Sequence, residues 1–297
     1  MRVSSREMLS SCRAVTIMSG WMSKLSRGFR RGVLRNLEGL SVIKAGEGQH
    51  TMDLCGKVAI ITGGKRIGRI VAQELAAKGM NLVLSYRGSK DEAEQTVADV
   101  EAAGRRATIV SGDVSKPDDC RAIVDHAVAT FGRVDVLVNM ASIYRSKPLQ
   151  DVSVDDWTTD LDVNLRSAFL CAHAAIPHMR GAGGGRIVNF ADWLVRSGRP
   201  RYTGFTPYYV AKAGVVALTE SLALEVARDN ILVNAIAPGP IVPPPDMTQE
   251  EVAEVAKATP VGHWGGEAEI AKAVVLLCQT DFITGETIRV DGGRHLE

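Results

Sequence analysis

The sequence contains few aromatic residues and few cysteines, and it lacks long hydrophobic runs. Aromatic residues make up 5% of the 297 positions, and the five cysteines are scattered, without metal-ligand spacing or a disulfide framework. No apolar run approaches the roughly 18 residues that a membrane span needs. The six histidines form no ligand pattern either. The sequence therefore predicts no metal, no membrane contact and a reducing compartment.

Net charge is also nearly absent, but the charges are unevenly distributed. Residues 1–52 contain nine Lys/Arg and three Asp/Glu, whereas residues 53–297 contain 26 and 31. Binding to nucleic acid depends on cations that face the phosphates. An acidic body therefore predicts that nucleic acid is not a partner.

Residues 1–52 differ from the rest of the chain and are predicted to be a leader outside the fold. They are rich in Arg and Ser, and apolar residues recur every four positions among the arginines at Leu25, Phe29, Val33 and Leu37. This pattern is typical of an organelle transit peptide. The alternative is a start codon assigned too far upstream, with a disordered or spurious leader. The predicted compartment is the cytoplasm, with plastid or mitochondrion as the alternative for a genuine transit peptide.

From residue 53 onward, strand-like and helix-like segments alternate. The strand-like runs are KVAIIT, NLVLSY, RATIVSGD, VDVLVNM, GRIVNF, ILVNAIAP and TIRVDGG, and the helical patterns cover 67–79, 89–103, 117–131, 153–180, 207–229 and 266–279. Continuous apolar strands indicate a parallel sheet buried on both faces. Alternation with helices predicts one α/β domain over residues 53–297, with a doubly wound, seven-stranded sheet.

Two connections, 194–206 and 239–265, are predicted to be long loops. In doubly wound folds, long loops at the strand ends usually serve a ligand site. The acidic residues Asp155, Asp156, Asp160 and Asp162 are interpreted as a solvated helix start.

A glycine-rich turn follows the first strand, in the stretch TGGKRIG. Gly63 and Gly64 permit positive φ and close backbone approach, and Gly68 permits tight packing of the following helix on the strand. The amide donors and positive end of that helix favour a pyrophosphate. Because a strand precedes the turn and a helix follows it, the turn predicts a dinucleotide site.

The charges near this turn indicate which dinucleotide binds. In NAD sites, an acid about 20 residues past the glycines binds the ribose 2′-hydroxyl. Here that place reads LSYRGSK, which offers Arg87, nineteen residues after Gly68, and no acid until Asp91. Guanidinium groups match phosphate oxygens, so Arg87 with Lys65 and Arg66 predicts a pocket for a 2′-phosphate, and hence NADPH/NADP+.

Several motifs stand in one order along the chain: TGGKRIG, GDV at 112–114, NMAS at 139–142, LDVNLRS around Asn164, VNFAD, YYVAK at 208–212, APG at 237–239 and VDGG. Over residues 55–297 the chain resembles the short-chain dehydrogenase/reductase family. It is most similar to the pteridine-reductase-like and 3-oxoacyl-carrier-protein-reductase-like branch. The resemblance implies a single-domain Rossmann fold and, usually, a homotetramer.

Tyr208 and Lys212 are four residues apart, so on a helix they share one face. A free phenol has a pKa of about 10, and the Lys212 ammonium together with an oxidised nicotinamide would lower it. Tyr208 could then protonate a substrate atom as hydride reaches its neighbour. The resemblance implies that Lys212 also holds the nicotinamide ribose and that Asn164 fixes a water in a proton relay.

The resemblance also implies which residues bind the cofactor. They are Gly63, Gly64, Lys65, Arg66, Ile67, Gly68, Arg87, Asp113, Val114, Asn139, Ala141, Tyr208, Lys212, Pro238 and Gly239. The glycine turn is one residue shorter than the family pattern, and Arg66 takes the place of its middle glycine.

Two further departures from the family pattern bear on the substrate. Asp192 stands where the family usually has its catalytic Ser, and burial would raise the pKa of that carboxyl until it could act as an acid coupled to Tyr208. Ser142 replaces a glycine, as in pteridine reductases. Tyr144 falls where those enzymes stack an aromatic ring on the substrate. Trp193 is a further candidate for an aromatic wall.

The sequence thus predicts an NADPH-dependent reductase of a C=O or C=N bond in a small molecule, with the pteridine-reductase-like interpretation leading. A 3-oxoacyl-carrier-protein reductase is the alternative, although acidic carrier proteins dock on basic patches and the body of this chain is acidic. A non-catalytic NADPH-binding sensor is the second alternative.

Overall fold

The computed structural model describes residues 51–63, 65–198 and 202–297. Seven strands form one parallel sheet in the order β3-β2-β1-β4-β5-β6-β7. They are β1 Val58–Thr62, β2 Asn81–Tyr86, β3 Ala107–Ser111, β4 Val136–Asn139, β5 Gly185–Phe190, β6 Ile231–Pro238 and β7 Thr287–Val290. The predicted α/β fold class is confirmed. Residues 1–50 of the predicted leader lie outside the described residues, so its nature stays a prediction.

The central strands are buried along their whole length. Every residue of β1 and of β5 is buried, and β1 is apolar up to its last residue, Thr62, rather than alternating. In the β1 register, Ile60 lies opposite Val83 of β2 and Leu137 of β4. Side chains of successive residues therefore enter two separate cores, one on each face of the sheet.

Nine α-helices connect the strands in the described part of the chain. They are α1 Ile67–Ala77, α2 Lys90–Ala102, α3 Pro117–Phe131, α4 Val154–Leu161, α5 Ser167–Gly181, α6 Trp193–Arg196, α7 Thr206–Val226, α8 Gln249–Lys257 and α9 Glu267–Gln279. Helices α1, α2 and α9 contribute to one core, and α3, α5 and α7 contribute to the other. No helix of the described residues is long and apolar enough to cross a membrane.

The predicted helix over 153–180 is interrupted. Helix α4 begins with a capping box between Ser153 and Asp156, and it runs into a π-helical turn at Asp162–Arg166 before α5 starts. π-turns are frequently found at functional sites. This one contains Asn164.

The predicted long loop over 239–265 is not a loop throughout, because this segment contains α8. Thr248 caps the helix by accepting from the backbone of Glu251, whose carboxylate accepts from the backbone of Thr248 in return. This T-x-x-E capping box could have been predicted from the sequence. The predicted 194–206 loop likewise includes most of α6 and the first residue of α7.

The carboxyl ends of the strands bring distant segments to one edge of the sheet. The glycine turn follows β1, the segment from Met140 follows β4, Asp192 follows β5, and Gly239 follows β6. Since the order of strands reverses beside β1, a crevice opens between the segments that leave β1 and β4.

The backbone segments that follow β1 and β4 come close together at Gly63. Its φ is +77°, and a Cβ built there would lie 2.8 Å from the Cα of Ala141. Two conditions therefore require glycine: a left-handed conformation and backbone contact with the β4 segment. The contact aligns the first two segments that border the crevice.

We expect Gly63→Ala to lower the free energy of unfolding by about 2–4 kcal/mol, through left-handed strain and overpacking. The measurement is urea unfolding. Gly181→Ala is the matched control, because nothing lies within 4 Å of a Cβ at this helical position. Equal stability of the two variants would contradict the assigned contact.

Candidate active site

A cleft of about 1000 Å³ occupies the carboxyl edge of the sheet. The predicted site residues among those lining it are Gly63, Lys65, Arg66, Ile67, Arg87, Asp113, Val114, Ala141, Ser142, Tyr144, Asp192, Trp193, Tyr208, Lys212, Pro238 and Gly239. The structure therefore gathers, in one place, residues that are spread over more than 170 positions of the sequence. Gly64 lies outside the described residues.

One described residue of the glycine turn is under strain. Arg66 has a φ of +50°, the left-handed region in which glycine is normally found. Helix α1 begins at the next residue, and Arg66 gives its first amides no side-chain cap. Those amides are therefore available to an anion placed at the turn.

Three cations line the end of the cleft beside the glycine turn, and each has its own protein partner. Lys65 pairs with Glu92 at 2.8 Å, and Arg87 pairs with Asp113 at 3.4 Å. Arg66 donates to the carbonyl oxygen of Pro243 at 3.2 Å. The two ion pairs are exposed and contribute little stability. A phosphate group could therefore displace them at small cost.

Tyr208 and Lys212 lie one turn apart on α7, and both are buried. The Lys212 ammonium donates to the carbonyl oxygen of Phe190 at 2.8 Å and stands 5.7 Å from the centroid of the Tyr208 ring. Burial lowers the pKa of Lys212 to about 8, against the opposing effect of Asp192.

Asp192, in the place of the family's Ser, contacts the phenol directly. Tyr208 donates its hydroxyl proton to Oδ2 of Asp192 at 2.7 Å, while Oδ1 accepts from the backbone N–H of Leu194 at 2.9 Å. Burial raises the pKa of the Asp192 carboxyl above its ordinary value, as the sequence predicts. The Leu194 amide and Tyr208 oppose that shift by stabilising the carboxylate.

The expected lowering of the Tyr208 pKa does not occur in the protein alone. Burial raises this pKa well above its ordinary value, and the Asp192 carboxylate raises it further. A phenol that donates to a carboxylate is held in its protonated form. The protein alone thus stores the proton on the phenol, the form that a proton donor requires.

Asn164 does not line the cleft but holds one of its walls. Its Oδ1 accepts from the Ser142 hydroxyl at 2.6 Å and from the backbone N–H of Ile143 at 3.1 Å. Its Nδ2 donates to the carbonyl oxygen of Ile143 at 3.1 Å. The proposed role of Asn164 in a proton relay stays a prediction, and the Ser142 hydroxyl is directed toward Asn164.

Tyr144 stands at the mouth of the cleft, with 55% of its surface exposed. Its ring stacks on Phe205, with centroids 4.4 Å apart and 17° between planes, and meets the edge of Tyr208 at 4.9 Å and 80°. One face of Tyr144 is thus already covered. Trp193 is buried and packs edge-on against Tyr202 at 6.4 Å.

Two other predicted cofactor residues support the cleft from behind. A Cβ at Gly68 would lie 3.0 Å from the carbonyl oxygen of Gly63, so the helix packs closely on the turn as predicted. Asn139 is buried, and its Nδ2 donates to Oδ1 of Asn189 at 2.9 Å. Both residues act through the backbone of the cleft rather than at its surface.

Sequence reasoning missed two contributors to the site. The carbonyl of Phe190 anchors Lys212, a backbone role that no side-chain pattern signals. Asp160 is buried beside Asn164 and lies 3.2 Å from it, and the i, i+4 spacing of the two residues could have indicated the contact. Among the described residues, no group of three or more His, Cys, Asp or Glu side chains could hold a metal.

A dinucleotide-type turn at the switch point of a doubly wound sheet, beside a buried Tyr–Lys pair, defines an oxidoreductase that uses a nicotinamide cofactor. The chain belongs to the short-chain dehydrogenase/reductase family. Residues 63–295 match the family model described as enoyl-(acyl carrier protein) reductase. The predicted family membership is confirmed.

Known relatives cover nearly the whole described domain. The 3-oxoacyl-[acyl-carrier-protein] reductase FabG of Staphylococcus aureus is 37% identical over 247 residues, which is 81% of this chain and 98% of that protein. A blue fluorescent protein from a metagenomic library, solved in complex with NADPH, has a TM-score of 0.75 and 34% identity, covering 82% of this chain and 99% of its own. Acetoin dehydrogenase from Enterobacter cloacae has a TM-score of 0.74 and 37% identity, covering 81% and 96%.

The lowered pKa of Lys212 has a consequence for stability. Between about pH 8 and 10.5, the folded protein has released a proton that the unfolded chain still holds, so this group favours folding increasingly as the pH rises. We expect the stability of the wild type, relative to Lys212→Met, to increase by about 1–3 kcal/mol across this window.

Urea unfolding at several pH values measures this difference. The exposed Lys257 supplies the control, because Lys257→Met should give a curve parallel to the wild type. A constant difference between wild type and Lys212→Met would show that Lys212 keeps its ordinary pKa in the folded protein.

Proposed function

We propose that the protein is an NADPH-dependent reductase of a ketone carbonyl, with a 3-oxoacyl thioester as the leading substrate class. The observation that carries the proposal is the Tyr208 hydroxyl, held at 2.7 Å from Asp192 and within the same cleft as the buried Lys212. A buried, protonated phenol is suited to protonate a carbonyl oxygen at the moment it becomes negative.

The cleft suits the cofactor at both ends. At one end, Gly63 carries no side chain where the backbone comes close to Ala141, and Arg66, Lys65 and Arg87 supply cations for a 2′-phosphate. At the other end, the Lys212 ammonium can bind ribose hydroxyls. NADPH held there supplies the hydride that reduces the carbonyl carbon.

The protein's own part is proton delivery. Tyr208 gives its proton to the carbonyl oxygen, and the phenolate left behind lies beside the Lys212 ammonium, which stabilises it. Asp192, with its raised pKa, is placed to take up a proton from solvent and pass it to the phenolate through the same 2.7 Å hydrogen bond, which restores the phenol and the carboxylate. The two groups therefore titrate as a pair.

The substrate class is supported by the relatives. Proteins named as 3-oxoacyl-[acyl-carrier-protein] reductases align over almost their full length, and this favours the alternative interpretation of the sequence over the pteridine-reductase-like one. For a 3-oxoacyl thioester, we propose that the ketone lies beside Tyr208. The carrier attached to the thioester would then lie at the open mouth of the cleft.

A pteridine or related planar C=N compound is the second candidate, and two features of the site favour it. Asp192 replaces the hydroxyl that would donate to a ketone, and a carboxyl with a raised pKa suits protonation of a ring nitrogen. Tyr144, exposed at the mouth, offers an aromatic edge to a flat ligand.

The assembly is proposed to be a homotetramer, in which helices from neighbouring copies pack together. Helices α4, α5 and α7 carry exposed apolar side chains that association would bury: Trp157, Phe169, Val210 and Leu224. Such residues are common on the surfaces through which subunits associate.

NADPH oxidation at 340 nm with acetoacetyl thioester, dihydrobiopterin and acetoin separates the candidates. We expect turnover with the thioester, and we expect Tyr208→Phe to lower kcat by at least about 10³-fold while NADPH still binds, because the proton donor is gone. Tyr209→Phe, one position along the helix, is the control and should retain the wild-type rate.

Faster turnover of dihydrobiopterin than of both ketones would move the pteridine candidate to first place. Binding of NADPH without oxidation by any substrate would favour the non-catalytic sensor. An unchanged rate in Tyr208→Phe would remove the proton-donor role.

Cofactor choice gives a separate prediction. Arg87→Ala should raise the KM for NADPH about tenfold and leave that for NADH nearly unchanged, because NADH lacks the 2′-phosphate that a guanidinium would bind. Arg121→Ala is the control, since Arg121 is an exposed residue of α3 that pairs with its helical neighbour Asp118. Equal effects on the two cofactors would refute the 2′-phosphate assignment.

A further inference from the structure

Asp160 departs from the predicted solvated helix start. Asp155 is exposed, Asp156 joins the capping box and pairs with Lys147, and Asp162 pairs with Arg166 at 3.3 Å. Asp160, by contrast, is only 6% exposed, in the last turn of α4. Its carboxyl group points into the protein, next to the π-turn.

The partner of Asp160 in the interior is the carboxamide of Asn164. Nδ2 of Asn164 donates to Oδ1 of Asp160 at 3.2 Å. A carboxylate only accepts hydrogen bonds, so Asp160 requires Asn164 to present its NH2 group rather than its oxygen. The orientation of this amide is thereby set from outside the cleft.

The orientation of the amide decides which hydrogen bonds Asn164 forms with residues 142 and 143. With Nδ2 toward Asp160, Oδ1 faces the Ser142 hydroxyl and the Ile143 N–H, and it accepts from both. The second Nδ2 hydrogen reaches the carbonyl oxygen of Ile143. A flipped amide would place NH2 against the Ile143 N–H, donor against donor, and break the paired contact with this backbone.

The segment 142–144, which Asn164 contacts, also contacts the phenol of Tyr208. Ile143 is followed by Tyr144, whose ring meets the edge of Tyr208 and stacks on Phe205. A chain of direct contacts therefore leads from Asp160 through Asn164 and residues 142–144 to Tyr208. Each contact in the chain is a hydrogen bond, a covalent link or a ring contact.

Burying a carboxylate does not by itself stabilise the folded protein. Burial raises the pKa of Asp160, Asp156 acts in the same direction, and Arg145 opposes the shift. Replacing buried charges with apolar groups is often neutral or stabilising. A role in orientation accounts for an ionisable group at this position better than a role in packing does.

We infer that Asp160 is a positioning residue, which fixes the Asn164 carboxamide and through it the Ser142–Tyr144 wall beside Tyr208. The inference rests on the proposed reductase function for its kinetic consequence, but not for the geometry of the amide. Asp160 touches neither substrate nor cofactor in this role.

The kinetic test compares Asp160→Ala, which removes the acceptor, with Asp160→Asn, whose amide oxygen can still accept from Asn164. We expect kcat to fall about tenfold in Asp160→Ala, with the KM for NADPH unchanged within about twofold, and to recover largely in Asp160→Asn. The control pair is Asp155→Ala and Asp155→Asn, at an exposed position of the same helix, where both variants should match the wild type.

A second readout does not depend on turnover. In protein labelled with 15N-asparagine, the side-chain NH2 signals of Asn164, assigned by their loss in Asn164→Ala, report the hydrogen bonds of this amide. We expect slow hydrogen exchange in the wild type and in Asp160→Asn, and exchange at least about tenfold faster in Asp160→Ala.

The two readouts separate the two hypotheses. If the wild type oxidises no NADPH but the exchange pattern holds, the proposed function fails and the positioning role of Asp160 stands. If exchange at Asn164 is the same in Asp160→Ala as in the wild type, the inference is overturned, whatever the kinetics. It is overturned equally if Asp160→Ala retains the wild-type kcat.

Discussion

The hydrogen bond from the Lys212 ammonium to the carbonyl oxygen of Phe190 ties the catalytic helix α7 to the central strand β5. An ammonium that is 2% exposed loses most of its hydration, and one backbone oxygen replaces only part of it. The fold tolerates this because β5 lies inside the sheet, between β4 and β6, and α7 packs against β6 and β5. The position of Tyr208, one turn before Lys212, follows from this anchor.

Three ionisable groups share this buried region, and their charges oppose one another. Lys212 favours negative charge on Asp192, Asp192 disfavours negative charge on Tyr208, and burial disfavours charge on all three groups. The protein alone resolves the conflict by keeping the proton on the phenol and directing it to the carboxylate. Any change that brings positive charge or a new hydrogen-bond donor into the cleft shifts this balance toward the phenolate. The site is thus poised for proton transfer, with its phenol protonated at rest.

Much of the fold could be predicted from the sequence, because its signals are local. The apolar strands, the glycine turn at Gly63 and the Tyr208–Lys212 spacing each depend on neighbours within a few residues. The helix α8 was also local, since Thr248 and Glu251 form its capping box, and the prediction failed by overlooking that signal among the prolines before it.

What could not be predicted depends on contacts between distant segments. The direction of the Tyr208 pKa shift requires the burial of the phenol and the position of Asp192 sixteen residues away. The anchor of Lys212 is a backbone carbonyl, and carbonyls carry no residue-specific signal. The burial of Asp160 follows from the way α4 enters the π-turn, because one extra residue in that turn rotates the helix faces before and after it. A regular helix would leave all four acids of this segment exposed, but the π-turn buries one of them, Asp160. Asp160 lies next to Asn164, which supports the wall of the cleft.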